Sequence, residues 1–261
     1  MFKGKVIRNI ILVKYNMSSL KGLGGRLCNK VIMNLCFSIL AEINNLYITY
    51  DYLDECEQLG INLFCGQCKY KIDLIITDDN YLDVVSKCRK NTLTKNIKNL
   101  GCFFQTKEIS SYLCNYLNLP NISKNIIDKN KFNERYNNNN DIFIHIRLGD
   151  VTQFNAGYKY YEKAIKNINK YDKIYISSDS INHEICQLLI KNWNAIPIEY
   201  NEVETIHFGS TCKNVILSHG SFSCVIGYLS FFSNIYYPSY EENKIWYGDI
   251  FSISNWNRVI F

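Results

Sequence analysis

The chain places polar and cationic side chains at the end of an apolar run over residues 142–146. His145, Arg147 and Asp150 follow one another closely at this predicted strand end. Open α/β sheets bind ligands at the carboxyl ends of their strands. The guanidinium group of Arg147 carries a fixed fork of donors that suits a diphosphate, and Gly149 would let backbone approach it closely. Taken alone, an Arg-x-Gly-Asp turn also fits a structural role.

A second segment, residues 215–223, predicts a strand that passes through a small, hydroxyl-rich turn into a helix. The N–H groups at a helix start have no intrahelical partner and form a natural anion site. Ser221 and Ser223 would add hydroxyl groups there, and His219 and Phe222 lie in the same turn. N-capping by Ser221 is the structural alternative. Two such turns in one half of the chain favour a phosphate-bearing ligand.

A third segment, residues 22–30, is a glycine-rich loop that enters a predicted helix. It contains Gly24, Gly25, Arg26 and Asn29. It is not a Walker loop, because no Gly-Lys-Ser/Thr follows, and it lacks the Rossmann dinucleotide spacing. By itself it is only a cluster of glycines.

Together the three segments resemble the α-1,2-fucosyltransferases and their wider superfamily. The family pattern is a Gly-Gly-x-Leu-Gly-Asn-Gln loop, a His-x-Arg-x-Gly-Asp strand end, and a strand leading into Ser-Ser-Phe-Ser. Residues 24–30, 145–150 and 218–223 correspond to these motifs. The chain departs from the pattern at four places, and the resemblance leaves roughly residues 51–140 uncovered. The departures are Cys28 for Gly, Lys30 for Gln, Leu148 for a common second Arg, and residues 224–227 for Trp-Trp-Gly-Ala.

The resemblance implies an α/β fold of GT-B type, with two Rossmann-type domains and the donor site in the cleft between them. It implies inverting transfer of L-fucose from GDP-fucose to a hydroxyl of an oligosaccharide or glycoconjugate, with no metal and no cofactor. Two alternatives stay open. One is the same fold with another nucleotide-activated deoxyhexose, and the other is a non-catalytic nucleotide- or glycan-binding protein.

The resemblance also implies roles for individual residues. Arg147 would hold the β-phosphate and stabilise the leaving group, and we group Asp150 with it as catalytic. His145 and Asp179 would lie near the guanosine. The general base is open among Asp150, Glu204 and His207. The residues expected to bind the donor are Gly24, Gly25, Arg26, Asn29, His145, Arg147, Asp179, His219, Ser221, Phe222 and Ser223.

No motif in the sequence predicts a metal site. An Asp-x-Asp motif is lacking, and we interpret Asp78, Asp79, Asp51 and Asp54 as exposed loop carboxylates. The pair Cys65 and Cys68, with Cys56 nearby, has no second pair at zinc-finger spacing, so we predict neither a zinc nor a redox role for it.

The composition of the chain indicates which kinds of partner and which cellular compartment to expect. The formal net charge of +5 is spread thinly along the chain, which argues against a nucleic-acid partner. Eleven cysteines in apolar segments indicate free thiols and a reducing, cytoplasmic setting. The longest mixed apolar stretch is residues 212–237, which is too polar for a membrane span, so we expect no stable membrane insertion.

The order of predicted elements divides the chain in two. Strand 6–13, helix 26–44 and strand 46–50 form a β-α-β unit in an N-terminal, acceptor-side domain, residues 1–140. The polar stretch 136–141 is the predicted linker. Residues 141–261 form the predicted Rossmann-type nucleotide-sugar domain. Its predicted strands are 142–146, 173–177, 196–200, 215–218 and 234–237, and its predicted helices are 160–169, 181–191, 204–212 and 222–232.

Overall fold

The structure is a computed structural model that describes residues 18–239 and 248–261. Two short parallel ladders lie in the N-terminal half, one joining β1 to β2 and one joining β3 to β4. The strand predicted at residues 6–13 lies outside the described residues. The elements of this half are β1 (Ser18–Ser19), α1 (Leu27–Asn44), β2 (Ile48–Thr49), α2 (Leu53–Gln58), β3 (Asp73–Ile76), α3 (Tyr81–Cys88), β4 (Asn96–Asn99), α4 (Lys107–Leu117) and α5 (Pro120–Lys129).

The C-terminal half alternates strands and helices along the chain, as the sequence predicts. The observed elements match the predicted ones to within a few residues, and β10 is an addition. The elements of this half are a 3₁₀ turn (Asn133–Arg135), β5 (Ile142–Ile146), a second 3₁₀ turn (Gly149–Phe154), α6 (Tyr158–Lys166), β6 (Ile174–Ser178), α7 (Glu184–Trp193), β7 (Ile196–Pro197), α8 (Glu202–Thr211), β8 (Asn214–Ile216), α9 (Ser221–Leu229), β9 (Asn234–Pro238) and β10 (Asn257–Val259).

The six strands β5 to β10 form one parallel sheet. Their spatial order is β7-β6-β5-β8-β9-β10, which is 3-2-1-4-5-6 when they are numbered from β5. This is the order of a doubly wound, Rossmann-type sheet. The chain leaves β5 toward one edge and later returns to build the other edge, so the order reverses between β5 and β8. The carboxyl ends of these two strands therefore form the crevice in which such sheets bind ligands.

Helix α1 lies in the core of the molecule. Most of its side chains are buried, and it packs against α3 and α9. Among the described residues, α1 is the helix that is long enough and apolar enough to cross a membrane, judged by length and composition alone. Residues 212–237, the stretch named from the sequence, are divided among β8, α9 and β9.

One apolar core continues from the N-terminal half into the C-terminal half. Phe143 of β5 belongs to the same buried cluster as the α1 side chains and those of α8 and α9. Ile142, Ile144 and Ile146, on the opposite face of β5, pack in a second cluster with side chains of α6 and α7. Burial on both faces explains why every residue of this strand except His145 is apolar.

The predicted linker, residues 136–141, and Arg135 just before it pack against α8 of the C-terminal half. Arg135 makes an ion pair of 2.8 Å with Asp141, and its guanidinium group lies 4.5 Å from the centre of the Phe208 ring. Asn139 Nδ2 donates to the carbonyl of Thr211 over 3.0 Å. The connector is thus bound to α8, and the division into two domains at residue 140 stays a prediction.

Candidate functional site

A cavity of about 690 Å³ opens at the carboxyl ends of β5 and β8, and both halves of the chain line it. The N-terminal half contributes the start of α1 and an aromatic ring, Phe103. The C-terminal half contributes the ends of three strands and the starts of α8 and α9. The lining residues are Gly25, Arg26, Leu27, Cys28, Asn29, Phe103, His145, Arg147, Asp150, Val151, Ser177, Ser178, Asp179, Tyr200, Glu202, Thr205, His219, Gly220, Ser221 and Phe222.

Ten of the twelve residues predicted from the sequence line this cavity. Of the other two, Gly24 is exposed beside Gly25, and Ser223 is fully buried behind the wall. Sequence reasoning missed Tyr200 and Glu202, which follow β7. The rule that ligands gather at strand ends could have found them.

Arg147 is the central cation of the cavity. Its backbone N–H donates to Ser218 Oγ over 3.1 Å, which joins the end of β5 to the end of β8. Its guanidinium group, about one-fifth exposed, makes ion pairs with both Asp150 and Asp179. In the structure the donors that a phosphate would use are therefore shared with two carboxylates.

Asp179 is fixed from two sides. Its Oδ1 accepts the N–H of Leu148 over 2.9 Å, and its Oδ2 pairs with Arg147. Gly149 has a φ of +37°, and a Cβ there would lie 2.7 Å from Asp179 Oδ2. Glycine is thus required at 149 by the close approach of the carboxylate. The guanine-binding role of Asp179 stays a prediction.

Asp150 joins the two halves of the molecule across the cavity. It accepts from Arg26 Nη2 over 2.7 Å on one side and pairs with Arg147 on the other. Arg26 and Asp150 are both more than half exposed, so their ion pair contributes little to stability. It does position the glycine-rich loop over the strand ends.

His145 is an uncharged side chain in the wall of the cavity. Its Nδ1 lies 2.6 Å from Ser223 Oγ, and its ring is tilted against Phe222 with a centroid distance of 4.9 Å. Burial, together with His219 and Arg147, lowers the pKa of His145 to about 3. The imidazole is therefore neutral at physiological pH.

His219 is the second neutral imidazole of the cavity. Burial and the positive charge of Arg147 lower its pKa to about 4, against the opposing effect of Asp179. Its Nδ1 lies 3.4 Å from Ser218 Oγ. Its Nε2 is buried and has no hydrogen-bond partner among the residues that the structure describes.

Helix α9 begins at the cavity wall with its first N–H groups uncapped by any described side chain. Gly220 is the N-cap residue and has a φ of +88°, which favours glycine. The alternative prediction, that Ser221 caps the helix, is wrong, because Ser221 is already the first helical residue. The helix start is thus left available to an anion.

The glycine-rich loop is anchored by a buried ion pair. Lys30 is 2% exposed, and its Nζ donates to Asp51 Oδ2 over 2.9 Å. The same oxygen accepts the N–H of Gly22 over 2.9 Å. Although burial raises it, these two donors hold the pKa of Asp51 below its usual value. The prediction that Asp51 is an exposed loop carboxylate is therefore wrong.

Asp78 also departs from that prediction, whereas Asp79 is an exposed turn residue as expected. Asp54 is exposed but lies in α2 and not in a loop. Asp78 is half-buried, and its Oδ1 accepts the N–H of Phe104 over 2.7 Å. Burial raises the pKa of Asp78, against this hydrogen bond. The carboxylate fastens the chain ahead of α4 and does not line the cavity.

Gly25 and Asn29 lie at the cavity mouth on the N-terminal side. Gly25 has a φ of +105°, and a Cβ there would lie 2.8 Å from Asn29 Cβ and 3.2 Å from the Phe103 ring. Asn29 Oδ1 accepts from Gln105 Nε2 over 2.8 Å. The loop therefore needs glycine at 25 in order to pack.

The candidate bases named from the sequence do not all reach the cavity. Glu204 belongs to the capping box of α8 and accepts from Lys131 Nζ over 2.6 Å, outside the lining. His207 is buried elsewhere on α8. Asp150 lines the cavity but is held between two guanidinium groups. Glu202, in the first turn of α8, also lines it and makes no ion pair with any described residue.

All eleven cysteines lie among the described residues and are free. Cys65 is exposed and Cys68 half-buried, in a turn that packs over the C-terminal end of α1. The N–H of Cys68 donates to the carbonyl of Asn45 over 2.8 Å. Cys56 is buried and accepts from Asn34 Nδ2 over 3.7 Å. No group of three or more His, Cys, Asp or Glu side chains among residues 18–239 and 248–261 is arranged to hold a metal.

Comparison with models of protein families, with curated proteins and with solved structures gives no match. The resemblance to the fucosyltransferases therefore stays a prediction from the three sequence motifs.

Proposed function

We propose that the chain is an inverting glycosyltransferase that moves L-fucose from GDP-fucose to a hydroxyl of an oligosaccharide or glycoconjugate. The observation that carries the proposal is that Arg147, His219 and the uncapped start of α9 all line one cavity. That cavity lies at the reversal point of a Rossmann-type sheet and is also lined by the glycine-rich loop from the other half. A GT-B-like arrangement of two Rossmann-type domains is part of the proposal.

The proposed reaction is a single displacement. The acceptor oxygen forms a bond to the anomeric carbon as the bond to the β-phosphate oxygen breaks, and GDP leaves with that electron pair. The main demand is stabilisation of the leaving diphosphate. Arg147 and the first N–H groups of α9 would supply positive charge at that point.

The charged side chains that line the cavity indicate which contacts a diphosphate would replace when it binds. The lining side chains carry two positive charges, Arg26 and Arg147, and three negative ones, Asp150, Asp179 and Glu202. A diphosphate would therefore compete with these carboxylates for Arg147. Asp150 is the one that can leave, since it is 58% exposed, whereas Asp179 is also held by the N–H of Leu148.

Glu202 is the carboxylate that we assign as the general base. Of the three acidic side chains lining the cavity, it alone has no ion pair with a described residue. A base must accept the acceptor's proton in the transition state, and a carboxylate already bound to arginine gives up an interaction to do so. Sequence reasoning named Glu204, two residues further along, for the same role.

The test is donor cleavage and thermal stabilisation measured across GDP-fucose, GDP-mannose, UDP-sugars and dTDP-sugars with EDTA present. We expect GDP and GDP-fucose to stabilise the protein and GDP-fucose to be cleaved. Arg147→Ala should lower the rate about 30- to 1000-fold, which corresponds to roughly 2 to 4 kcal/mol. Arg89→Ala, at an exposed arginine outside the cavity, is the matched control. Normal turnover by Arg147→Ala would overturn the role of Arg147.

Two specific observations favour the alternatives. Cys28 lines the cavity where the family has glycine, which favours a different nucleotide-activated deoxyhexose. The carboxylates on Arg147 favour a nucleotide- or glycan-binding protein without turnover. Preference for another donor in the same panel identifies the first, and GDP binding without cleavage or transfer identifies the second.

A further inference from the structure

Each histidine of the cavity has its Nδ1 on a buried serine hydroxyl. His145 lies 2.6 Å from Ser223, and His219 lies 3.4 Å from Ser218. Both serines are at most 1% exposed, so the proton of each hydroxyl must find its acceptor inside the protein. A neutral imidazole has one donor and one acceptor nitrogen, and the partner of Nδ1 decides which is which.

Ser223 has a single direction in which to donate. Its oxygen accepts the N–H of Ser218 over 2.9 Å. Among the described residues, the one acceptor within reach of its hydroxyl proton is His145 Nδ1. Nδ1 is then the acceptor, and the ring proton resides on Nε2.

At Ser218, a series of hydrogen bonds with known donors fixes the direction of the hydroxyl proton in the same way. Asn155 Oδ1 accepts the N–H of Gly157 over 2.8 Å, which makes Asn155 Nδ2 the donor to Tyr161 over 2.9 Å. Tyr161 therefore donates its own proton to Ser218 Oγ over 3.1 Å. Ser218 also accepts the N–H of Arg147, so its proton points to His219 Nδ1.

We propose that Ser223 and Ser218 are positioning residues that keep the ring protons of His145 and His219 on Nε2, so that both rings donate hydrogen bonds to oxygen atoms of the bound ligand. On this assignment neither histidine is a base. The buried Nε2 of His219, which lacks an acceptor among the described residues, is a donor that awaits one.

The electrostatic surroundings keep both rings neutral, which the assignment requires. Burial lowers the pKa of both rings, and Arg147 acts on both in the same direction. His219 lowers the pKa of His145 further, while Asp179 partly opposes the effect on His219. The identity of the ligand oxygens as phosphate oxygens rests on the proposed function, whereas the position of the protons does not.

The direct test is ¹⁵N NMR of the imidazole nitrogens in the ligand-free protein at neutral pH. The chain has four histidines, so the spectrum is small. We expect a protonated Nε2 and an acceptor-type Nδ1 for His145 and His219. Ser223→Ala should shift His145 toward a mixture of the two tautomers, and Ser218→Ala should do the same for His219. Protonated Nδ1 in the wild-type protein overturns the proposal, even if the serine variants fail to fold.

A pair of substitutions tests the donor role, with GDP as the probe. The amide nitrogen of glutamine reaches the position of Nε2, and that of asparagine the position of Nδ1. His219→Gln should keep GDP affinity within about threefold, and His219→Asn should lower it about 10-fold or more, as expected for a hydrogen bond to a charged group. Equal losses in the two variants overturn the donor role. If the wild-type protein does not bind GDP, the proposed function fails, and the NMR result still decides where the protons are.

Discussion

Arg147 shares its donors with carboxylates that a diphosphate would have to replace, and this competition can be measured. Asp150→Asn removes the exposed competitor and one negative charge from the cavity lining. We expect GDP to bind more tightly to this variant, about 3- to 10-fold, which corresponds to roughly 0.7 to 1.4 kcal/mol, because the phosphate no longer competes with a charged hydrogen bond. Isothermal titration calorimetry against the wild-type protein is the measurement.

Asp179→Asn is the control for that experiment. Asp179 also accepts the N–H of Leu148, so its loss should loosen the strand end and weaken GDP binding. Tighter binding in both variants would show that general charge reduction is responsible. Weaker binding of GDP to Asp150→Asn would mean that Asp150 holds Arg147 in place for the ligand.

The neutral histidines make stability depend on pH. An unfolded histidine has a pKa near 6.5, whereas those of His145 and His219 are about 3 and about 4 in the folded protein. As pH falls below 6.5, the unfolded chain takes up protons that the folded protein does not, so the free energy of unfolding falls. Each ring removes roughly 1.4 kcal/mol per pH unit until its folded pKa is reached.

Urea unfolding at pH 7, 6 and 5 measures this effect. His207, whose pKa is also lowered by burial, acts in the same direction. We expect a steep loss of stability between pH 6.5 and 5, with a shallower slope in His219→Gln. The same slope in the variant and the wild-type protein would show that His219 takes up its proton normally in the folded state.

At the residue scale, the sequence located half of the residues that line the cavity because strand ends converge in a parallel sheet. It failed where burial depends on tertiary contacts. Lys30 lies in an apolar helical segment, and the sequence around it does not predict that its ammonium group pairs with Asp51. Glu202 was passed over for Glu204 because the helix start was placed two residues late, which assigned the capping carboxylate to the site.

At the scale of single elements, α1 places the charged side chain of Lys30 in the core. The loss of unfolding free energy should therefore depend on which partner of the Lys30–Asp51 ion pair is replaced. Lys30 is 2% exposed and Asp51 28% exposed. Asp51→Asn leaves a buried ammonium group without its carboxylate, whereas Lys30→Met leaves a carboxylate that water can reach. We expect Asp51→Asn to cost about 3 kcal/mol of unfolding free energy and Lys30→Met clearly less.

Chemical denaturation of the two variants measures the difference. Lys124→Met, in an exposed ion pair with Asp128 on α5, is the matched control and should change stability by less than about 1 kcal/mol. Equal costs for Asp51→Asn and Lys30→Met would contradict the unequal burial of the pair.

Elements with strong patterns were predictable and weak ones were not. The bounds of β5 were predicted correctly because a strand buried on both faces is almost entirely apolar, here with His145 as the exception. β4 has the sequence Asn-Ile-Lys-Asn, and β10 has Asn-Arg-Val at a sheet edge. Such strands owe their conformation to pairing with a neighbour, which the local sequence does not encode.

At the scale of the whole molecule, the two halves share one core. Helix α9 follows β8 in the C-terminal half, yet it packs against α1 and α4 of the N-terminal half. A Cβ at Gly227 of α9 would lie 2.5 Å from the Trp256 ring, so this helix is also closely packed on its own side. Separating the halves would expose apolar surface on both.

The shared core predicts a single cooperative unfolding transition. Near-ultraviolet circular dichroism, which follows the aromatic core, and far-ultraviolet circular dichroism, which follows the helices, should give the same midpoint in urea. Residues 141–261 expressed alone should aggregate or lack fixed tertiary structure, because α8 and α9 lose the surface that covers them. Two separate transitions, or a folded 141–261 fragment, would instead establish residue 140 as the boundary of two independent domains. The cavity would then lie between units able to move against each other, and GDP should merge the two transitions by binding to both.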